Sequence, residues 1–205
     1  MVILGGILTG TTTVTEAAAL GAVYTLFLGL LGYKTLSKRD IWEALIATVV
    51  FSGVVFFLLG ASTVLGWYVT RSGIARDAAE AITLVSNDPL VQILLVDLLL
   101  IAIGMFIDVL PAIVVAAPVL APAMIQLGFD PLHFGMVMLL ALNLGNITPP
   151  VGMTLMTASR IAGVSYESAI KQSLPFLLSH LVVLAIASAS PALVLWFPRL
   201  IGAIR

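Results

Sequence analysis

The chain has 205 residues, of which 61% are hydrophobic and 9% charged, with a mean hydropathy of +1.19 and nine Lys+Arg against ten Asp+Glu. So few charges cannot cover a water-facing surface, the apolar content excludes disorder, and the balanced charge leaves no basic footprint for nucleic acid. The absence of cysteine excludes disulfides, thiolate chemistry and Cys-based metal sites, and two distant histidines argue against a His-rich one, so the chain reads as an all-α polytopic membrane protein.

A bilayer core of about 30 Å needs about 20 apolar helical residues. Met1–Gly6 begins directly in apolar sequence with no basic flank, so it reads as the tail of a preceding helix rather than a secretory signal. The first full span is expected from Thr15 to Tyr33, with Thr15 as N-cap and Glu16 in the first turn, where a carboxylate suits the helix dipole. Lys34, Lys38 and Arg39 form the strongest basic cluster and belong in the cytoplasm by the positive-inside rule. A second span runs from Ile41 to about Val69, with Trp42 at one interface and Trp67 and Tyr68 at the other. Residues 71–88 carry Arg71, Arg76, Asp77, Glu80 and Asp88 in an Ala-rich stretch and suggest a short interfacial helix.

Pro89 to Ile103 is apolar apart from Gln92 and Asp97, and then breaks at Gly104-Met105-Phe106-Ile107-Asp108. Val109 to Leu127 is apolar again, interrupted by Pro111, Pro118 and Pro122. The segment is either one long kinked span or two half-depth helices meeting at a tip over Gly104–Asp108. The re-entrant hairpin is favoured, because a single span would strand Asp108 and loosened backbone at mid-membrane. Leu132 to Ala158 is long enough to cross, yet it is broken over Asn143–Gly152, because consecutive prolines lack N–H groups and push the preceding residue out of the α region. A polar turn, Arg160 to Lys171, precedes a last span from Leu174 to Trp196, with Pro175 in its first turn. With Lys34–Arg39 inside, Arg160 and Lys171 also fall inside and the C-terminus outside.

Non-helical backbone at membrane depth survives only when buried in protein or lining a wet cavity. Broken helices give a transporter freed carbonyls for a cation such as Na⁺ and helix N-terminal amides for an anionic substrate group. The candidate ion- and substrate-binding residues are therefore Gly104, Asp108, Asn143, Gly145, Asn146, Thr148, Pro149, Pro150, Gly152 and Thr154. The sodium candidates among them are Gly104, Asp108, Asn143, Thr148 and Gly152. Each has a plainer role open to it. Asp108 can be the N-cap of the helix from Val109, and Pro149-Pro150 can be a kink. Asp97 shares a face with Gly104, or is a protonated or paired interhelical residue. Glu16 suits a first turn, His133 and His180 suit bridging hydrogen bonds, and Arg160 sits near the cytoplasmic face. The motifs HExxH and GxSxG and a paired catalytic Asp are absent, which argues against an intramembrane enzyme.

Taken in order, Gly5–Ala19 (GGILTGTTTVTEAAA), Gly104–Asp108 (GMFID), Pro118 with Pro122, Gly128–Gly135 (GFDPLHFG) and Ile147–Leu155 (ITPPVGMTL) closely resemble the large membrane subunit of tripartite ATP-independent periplasmic (TRAP) transporters, the DctM type. The resemblance implies an elevator transporter of two inverted repeats, each with a re-entrant hairpin and a broken helix. It further implies sodium-driven import of small organic anions: C4-dicarboxylates, keto acids or sialic acids. The implied partners are a small DctQ-type membrane subunit and a periplasmic DctP-type binding protein, in a bacterial or archaeal cytoplasmic membrane. No cofactor beyond the coupling Na⁺ is implied.

The family's subunit is about twice this length and the likeness covers its C-terminal repeat, so the chain is expected to be a fragment or truncated gene product lacking the first repeat and its cation site, or to have that half on another polypeptide. Val14 stands where the family's usual TPTEAA has proline. The expected organisation is residues 1–70 as a helix end plus two scaffold helices and 71–88 as an interfacial arm. Residues 89–160 form a transport-domain half (hairpin 89–127, broken helix 131–160), and 161–205 a turn and last helix. The alternative is a non-transporting structural half-subunit or a decayed gene product.

Overall fold

The structure is a computed structural model and describes residues 5–6, 12–200 and 202, with only the backbone of Val14. The expectation for a helix tail over Met1–Gly6 falls mostly outside the described residues. Among these residues the secondary structure is helical. The elements are α1 (Val14–Phe27), extended by a π-helical turn over Leu28–Gly32, α2 (Lys38–Ser72), α3 (Ile74–Val85), α4 (Pro89–Phe106), α5 (Val109–Gln126), α6 (Pro131–Asn146), α7 (Met153–Ala162), α8 (Tyr166–Ala189) and α9 (Pro191–Leu200). Five segments are long and apolar enough to cross a membrane: Thr15–Gly32, α2, α4, α5 and α8. The chain divides into two compact units, Met1–Phe56 and Phe57–Arg205.

In the first unit, α1 starts one turn-half earlier than the sequence suggested. Thr13, not Thr15, is the N-cap, because Glu16 falls at the third helical position and can answer it. The Glu16 carboxylate accepts from the Thr13 amide at 2.8 Å while the Thr13 hydroxyl accepts from the Glu16 amide at 3.3 Å, a reciprocal capping box. The same device starts α2, where the Ser37 amide donates to Asp40 at 2.8 Å and the Asp40 amide to the Ser37 hydroxyl at 3.2 Å. Large apolar side chains such as Val49, Phe51 and Phe56 are exposed along α2, as expected of a helix whose solvent is lipid.

The second unit is organised around α6. Its buried residues Phe134, Val137, Met138, Ala141, Leu142 and Gly145 recur at three- and four-residue intervals, which places them on one broad helical face. That face packs most extensively on α4, whose Ile93, Val96 and Leu100 are buried, and also on α5 and α8. The tightest approach is glycine on glycine. A Cβ built on Gly104 would lie 2.5 Å from the Leu142 carbonyl oxygen and 3.1 Å from the Gly145 Cα. One on Gly145 would collide with the Ile101 carbonyl and the Gly104 backbone.

Pro118 lies inside α5 and has no N–H for the carbonyl four residues back, Val114. That carbonyl accepts instead from the Ser62 hydroxyl of α2 at 2.8 Å, and Gly66 of α2 lies beside the proline ring, a Cβ there falling at ordinary contact, 3.8 Å from Pro118 Cβ.

Three boundaries differ from expectation. Helix α4 continues through Gly104 to Phe106, three residues past the expected Ile103, so the first break is only Ile107–Asp108, and α4 and α5, at 18 residues each, span about 27 Å. Helix α6 continues through Asn143 and Gly145 to Asn146, so the second break is the non-helical stretch from Ile147 to the N-cap Gly152. Apolar packing of these glycines outweighs their low helix propensity. Finally, the Ser165 hydroxyl accepts from the Ser168 amide and starts α8 at Tyr166. The expected turn to Lys171 is therefore largely helical, Pro175 lies inside the helix, and a separate α9 follows from Pro191.

Candidate functional site

The two breaks lie against each other. Ending α4 at Phe106 frees the Met105 carbonyl of its usual intrahelical partner, and the Gly152 amide of the second break points at it from 3.4 Å. Around this contact meet the C-terminal ends of α4 and α6 and the N-terminal ends of α5 and α7. Helix C-termini carry partial negative charge and N-termini partial positive charge, so one small region presents both signs from backbone alone.

Asp108 is the N-cap of α5 and its Oδ1 accepts from the Val109 amide at 2.8 Å. The same oxygen accepts from the Asn146 side-chain amide at 2.9 Å, so the cap of α5 is also joined to the end of α6. Asn146 gives its second amide hydrogen to the Thr154 hydroxyl of α7 at 2.8 Å. Asp108, Asn146 and Thr154 are thus one connected group drawn from three helices. Asn146 is buried, both of its N–H groups are used, and its Oδ1 has no hydrogen-bond partner. A buried amide oxygen left without a donor costs about 1–3 kcal/mol, and a cation is one group that would answer it.

The exposed side of the group is a cleft of about 360 Å³ lined by Asp108, Met153, Thr154, Thr157, Ala158 and Ile161. It runs along the first turns of α7, whose N-cap Gly152 has no side chain to satisfy the leading amides. Gly152 has φ +51°, a left-handed conformation in which a side chain would be strained. A larger cavity of about 510 Å³ between α5, α6 and α9 is lined by apolar side chains such as Phe134, Met138 and Val194, and offers nothing to fix an ion.

The remaining sequence candidates divide clearly. Gly152 lies in the cluster by its backbone. Thr148, Pro149 and Pro150 shape the second break, but the Thr148 hydroxyl is engaged with the Leu144 carbonyl at 2.6 Å, closing the end of α6. Asn143 is helical and exposed and returns its amide to the Leu139 carbonyl at 2.8 Å, so it stands apart from the cluster. Gly104 and Gly145 are buried helix-contact residues that hold α4 on α6 just behind the breaks. Their backbone is not unwound, because the neighbouring helix occupies the space that an open loop would need.

Two contributors escaped the sequence reading. Tyr166, the first residue of α8, donates its hydroxyl to the Val151 carbonyl at 2.7 Å and so ties down the second break. Thr157 lines the cleft one turn beyond Thr154. The spacing of Thr154 and Thr157, three apart on a helix beginning at a glycine, was the available signal for the second.

The family described as "Tripartite ATP-independent periplasmic transporter, DctM component" matches residues 1–193. The sialic acid TRAP transporter large permease protein SiaM of Vibrio cholerae is 38% identical over 200 residues, covering 98% of this chain and 47% of that protein. The C4-dicarboxylate TRAP transporter large permease protein DctM of Pseudomonas aeruginosa is 32% identical, covering 98% and 47%. A putative dicarboxylate transporter subunit of Paracoccus pantotrophus is 30% identical, covering 98% and 96%. The chain therefore spans about half the length of the two large permease proteins named here.

Proposed function

The chain belongs to the DctM component family of TRAP transporters, and on that premise we propose that it supplies one half of the large permease subunit of a sodium-coupled importer of small organic anions. It is a multi-pass protein of the cytoplasmic membrane. In this reading α4 and α5 form a re-entrant hairpin, α6 and α7 a broken helix, and residues 89–160 together half of a moving transport domain. Residues 1–70 and 161–205 belong to the scaffold and 71–88 to an arm between them. A first repeat, related by inversion, supplies the other half of the site and a second cation site.

The observation that carries the reading is the orphaned Asn146 Oδ1 beside the Asp108 carboxylate, where two helix C-termini converge. Sodium is a hard cation that takes uncharged and carboxylate oxygens, and this donor set fits it. Asp108, the Asn146 amide oxygen and the carbonyls ending α4 and α6 would hold the ion. The uncapped start of α7, with Thr154 and Thr157, would receive a substrate carboxylate, since backbone amides at a helix start favour anions. An ion bound at Asp108 would also remove the repulsion that its carboxylate otherwise exerts on that substrate. C4-dicarboxylates, keto acids and sialic acids share the carboxylate this half-site can read. A DctQ-type small subunit and a DctP-type binding protein complete the proposed transporter.

The test is uptake of labelled organic anion into proteoliposomes holding the complete transporter, across a range of sodium concentrations. Asp108→Asn keeps the size and a capping oxygen but removes the charge. The expected result is at least a tenfold rise in the sodium concentration needed for half-maximal uptake, about 1.4 kcal/mol. Unchanged sodium dependence in Asp108→Asn would remove the assignment.

A further inference from the structure

The apolar cavity of about 510 Å³ between α5, α6 and α9 takes no part in the site described above. Small residues make the room for it: Ala117 and Ala121, one turn apart on α5, and Gly135 on α6. A Cβ built on Gly135 meets nothing within 4 Å, so no protein atom occupies the space in front of it. Phe134 and Met138 of the lining are 1% and 5% exposed and mark its inner end. Leu132, Met136 and Leu139 of the same helix are exposed and mark its open side.

Helix α9 forms the third wall through Val194 and Pro198. Its 10 residues rise about 15 Å, half of a bilayer core, so it does not cross. It packs on α6 and α8 with Leu195 buried, and it leaves Trp196 and Arg199 exposed. A short helix with one buried face, an exposed tryptophan and a basic last turn suits the membrane–water interface. The α5 wall belongs to a helix of membrane length, and its stretch from Ala121 to Ile113 extends about 12 Å. The cavity therefore opens beside an interfacial helix and continues along surface at membrane depth.

Water finds no hydrogen-bond partner on such a lining, and an apolar space left empty forfeits contacts on every side. What stands beside an apolar opening just below the interface is an acyl chain. Charge agrees with this occupant. Arg199 directly follows Pro198 of the lining and takes part in neither ion pair found among the described residues, Arg39–Glu43 and Arg76–Glu80. The carboxylate beside Pro131 of the lining, that of Asp130, is already spent on the Leu132 and His133 amides. A guanidinium offers paired donors that match the oxygens of a phosphate.

We propose that this cavity is a phospholipid site, in which one acyl chain lies between α5, α6 and α9 and the lipid phosphate meets Arg199. The chain fills the gap that α9, packed on α6 and α8, leaves towards α5. The site needs neither sodium nor an organic anion and rests only on the protein's residence in a bilayer.

The test uses the complete transporter in liposomes of phosphatidylethanolamine and phosphatidylglycerol, with a trace of phosphatidylglycerol carrying a diazirine midway along one acyl chain. After irradiation, adducts are mapped by mass spectrometry and scaled to the total labelling of the transporter. Adducts are expected on Phe134 and Met138, whose burial otherwise keeps them from lipid. Gly135→Leu puts a side chain into the empty space and is expected to abolish those adducts while labelling elsewhere stays. Arg199→Gln, an exposed change that leaves the cavity intact, is expected to lower them about fivefold. Absence of adducts on Phe134 and Met138 in the wild type would overturn the proposal and mark the cavity as covered by protein. Adducts that persist in Gly135→Leu, or that match the wild type in Arg199→Gln, would overturn it as well.

Discussion

The two interruptions in this molecule are built differently. The first, Ile107–Asp108, is two residues long and nearly self-sufficient: the Ile107 amide still donates to Ile103 and Asp108 caps the next helix with its own carboxylate. The second, from Ile147 to Gly152, contains two prolines and is held from outside by Tyr166 through Val151 and by Met105 through Gly152. A short break needs a capping residue, whereas a long one needs neighbours. The first can therefore present a charge rigidly, while the second depends on contacts that a variant can cut one at a time.

Gly145→Val attacks what both share and should have the largest effect. Its side chain would enter the Ile101 carbonyl and the Gly104 backbone, which cannot yield as a flexible side chain does. A loss of about 3 kcal/mol, at the upper end of overpacking costs, is expected in thermal unfolding of the purified transporter. Gly152→Ala comes next. The left-handed φ of +51° costs about 1–2 kcal/mol, and the added Cβ lies 3.0 Å from the Tyr166 hydroxyl. Tyr166→Phe removes one hydrogen bond, about 1 kcal/mol. It should raise amide hydrogen exchange over residues 147–152 and leave Ile107–Asp108 unchanged, so equal loosening at both breaks would contradict the comparison. Asp108→Ser retains a good helix cap but takes the acceptor from the buried Asn146 amide, so a loss of about 1 kcal/mol is expected while sodium dependence is lost. Arg76→Ala, which cuts an exposed i,i+4 pair on α3, should change neither stability nor uptake measurably.

Much of this was legible in the sequence because prolines, glycines and membrane-length apolar runs act locally. Most of the membrane-length helices, a short helix within residues 71–88 and both interruptions could be placed from composition, and Asp108 stood out as an ionisable residue at a break. What escaped was whatever depends on a partner helix. A glycine reads as a loop signal until a second glycine is found opposite it, and so Gly104 and Gly145 were assigned to open backbone when they are the tightest helical contact. Asn143 and Asn146 are indistinguishable by residue type and three positions apart. That offset turns their side chains by about 60° around the helix, enough to send one to the exposed surface and the other into the cluster. Capping was misjudged for a related reason, since Thr13 and Thr15 look alike until Glu16 chooses between them.

Pro118 is commonly regarded as damage to a helix, yet its missing proton specifies an alignment. The Val114 carbonyl can be answered only by a hydroxyl at one height along α2, and Ser62 is at that height. Shifting α2 by one turn would bring Leu58 or Gly66 there, neither of which can donate from a side chain. The defect in one helix thus encodes the vertical setting of another, and serine and proline 56 positions apart are to be read as a single word.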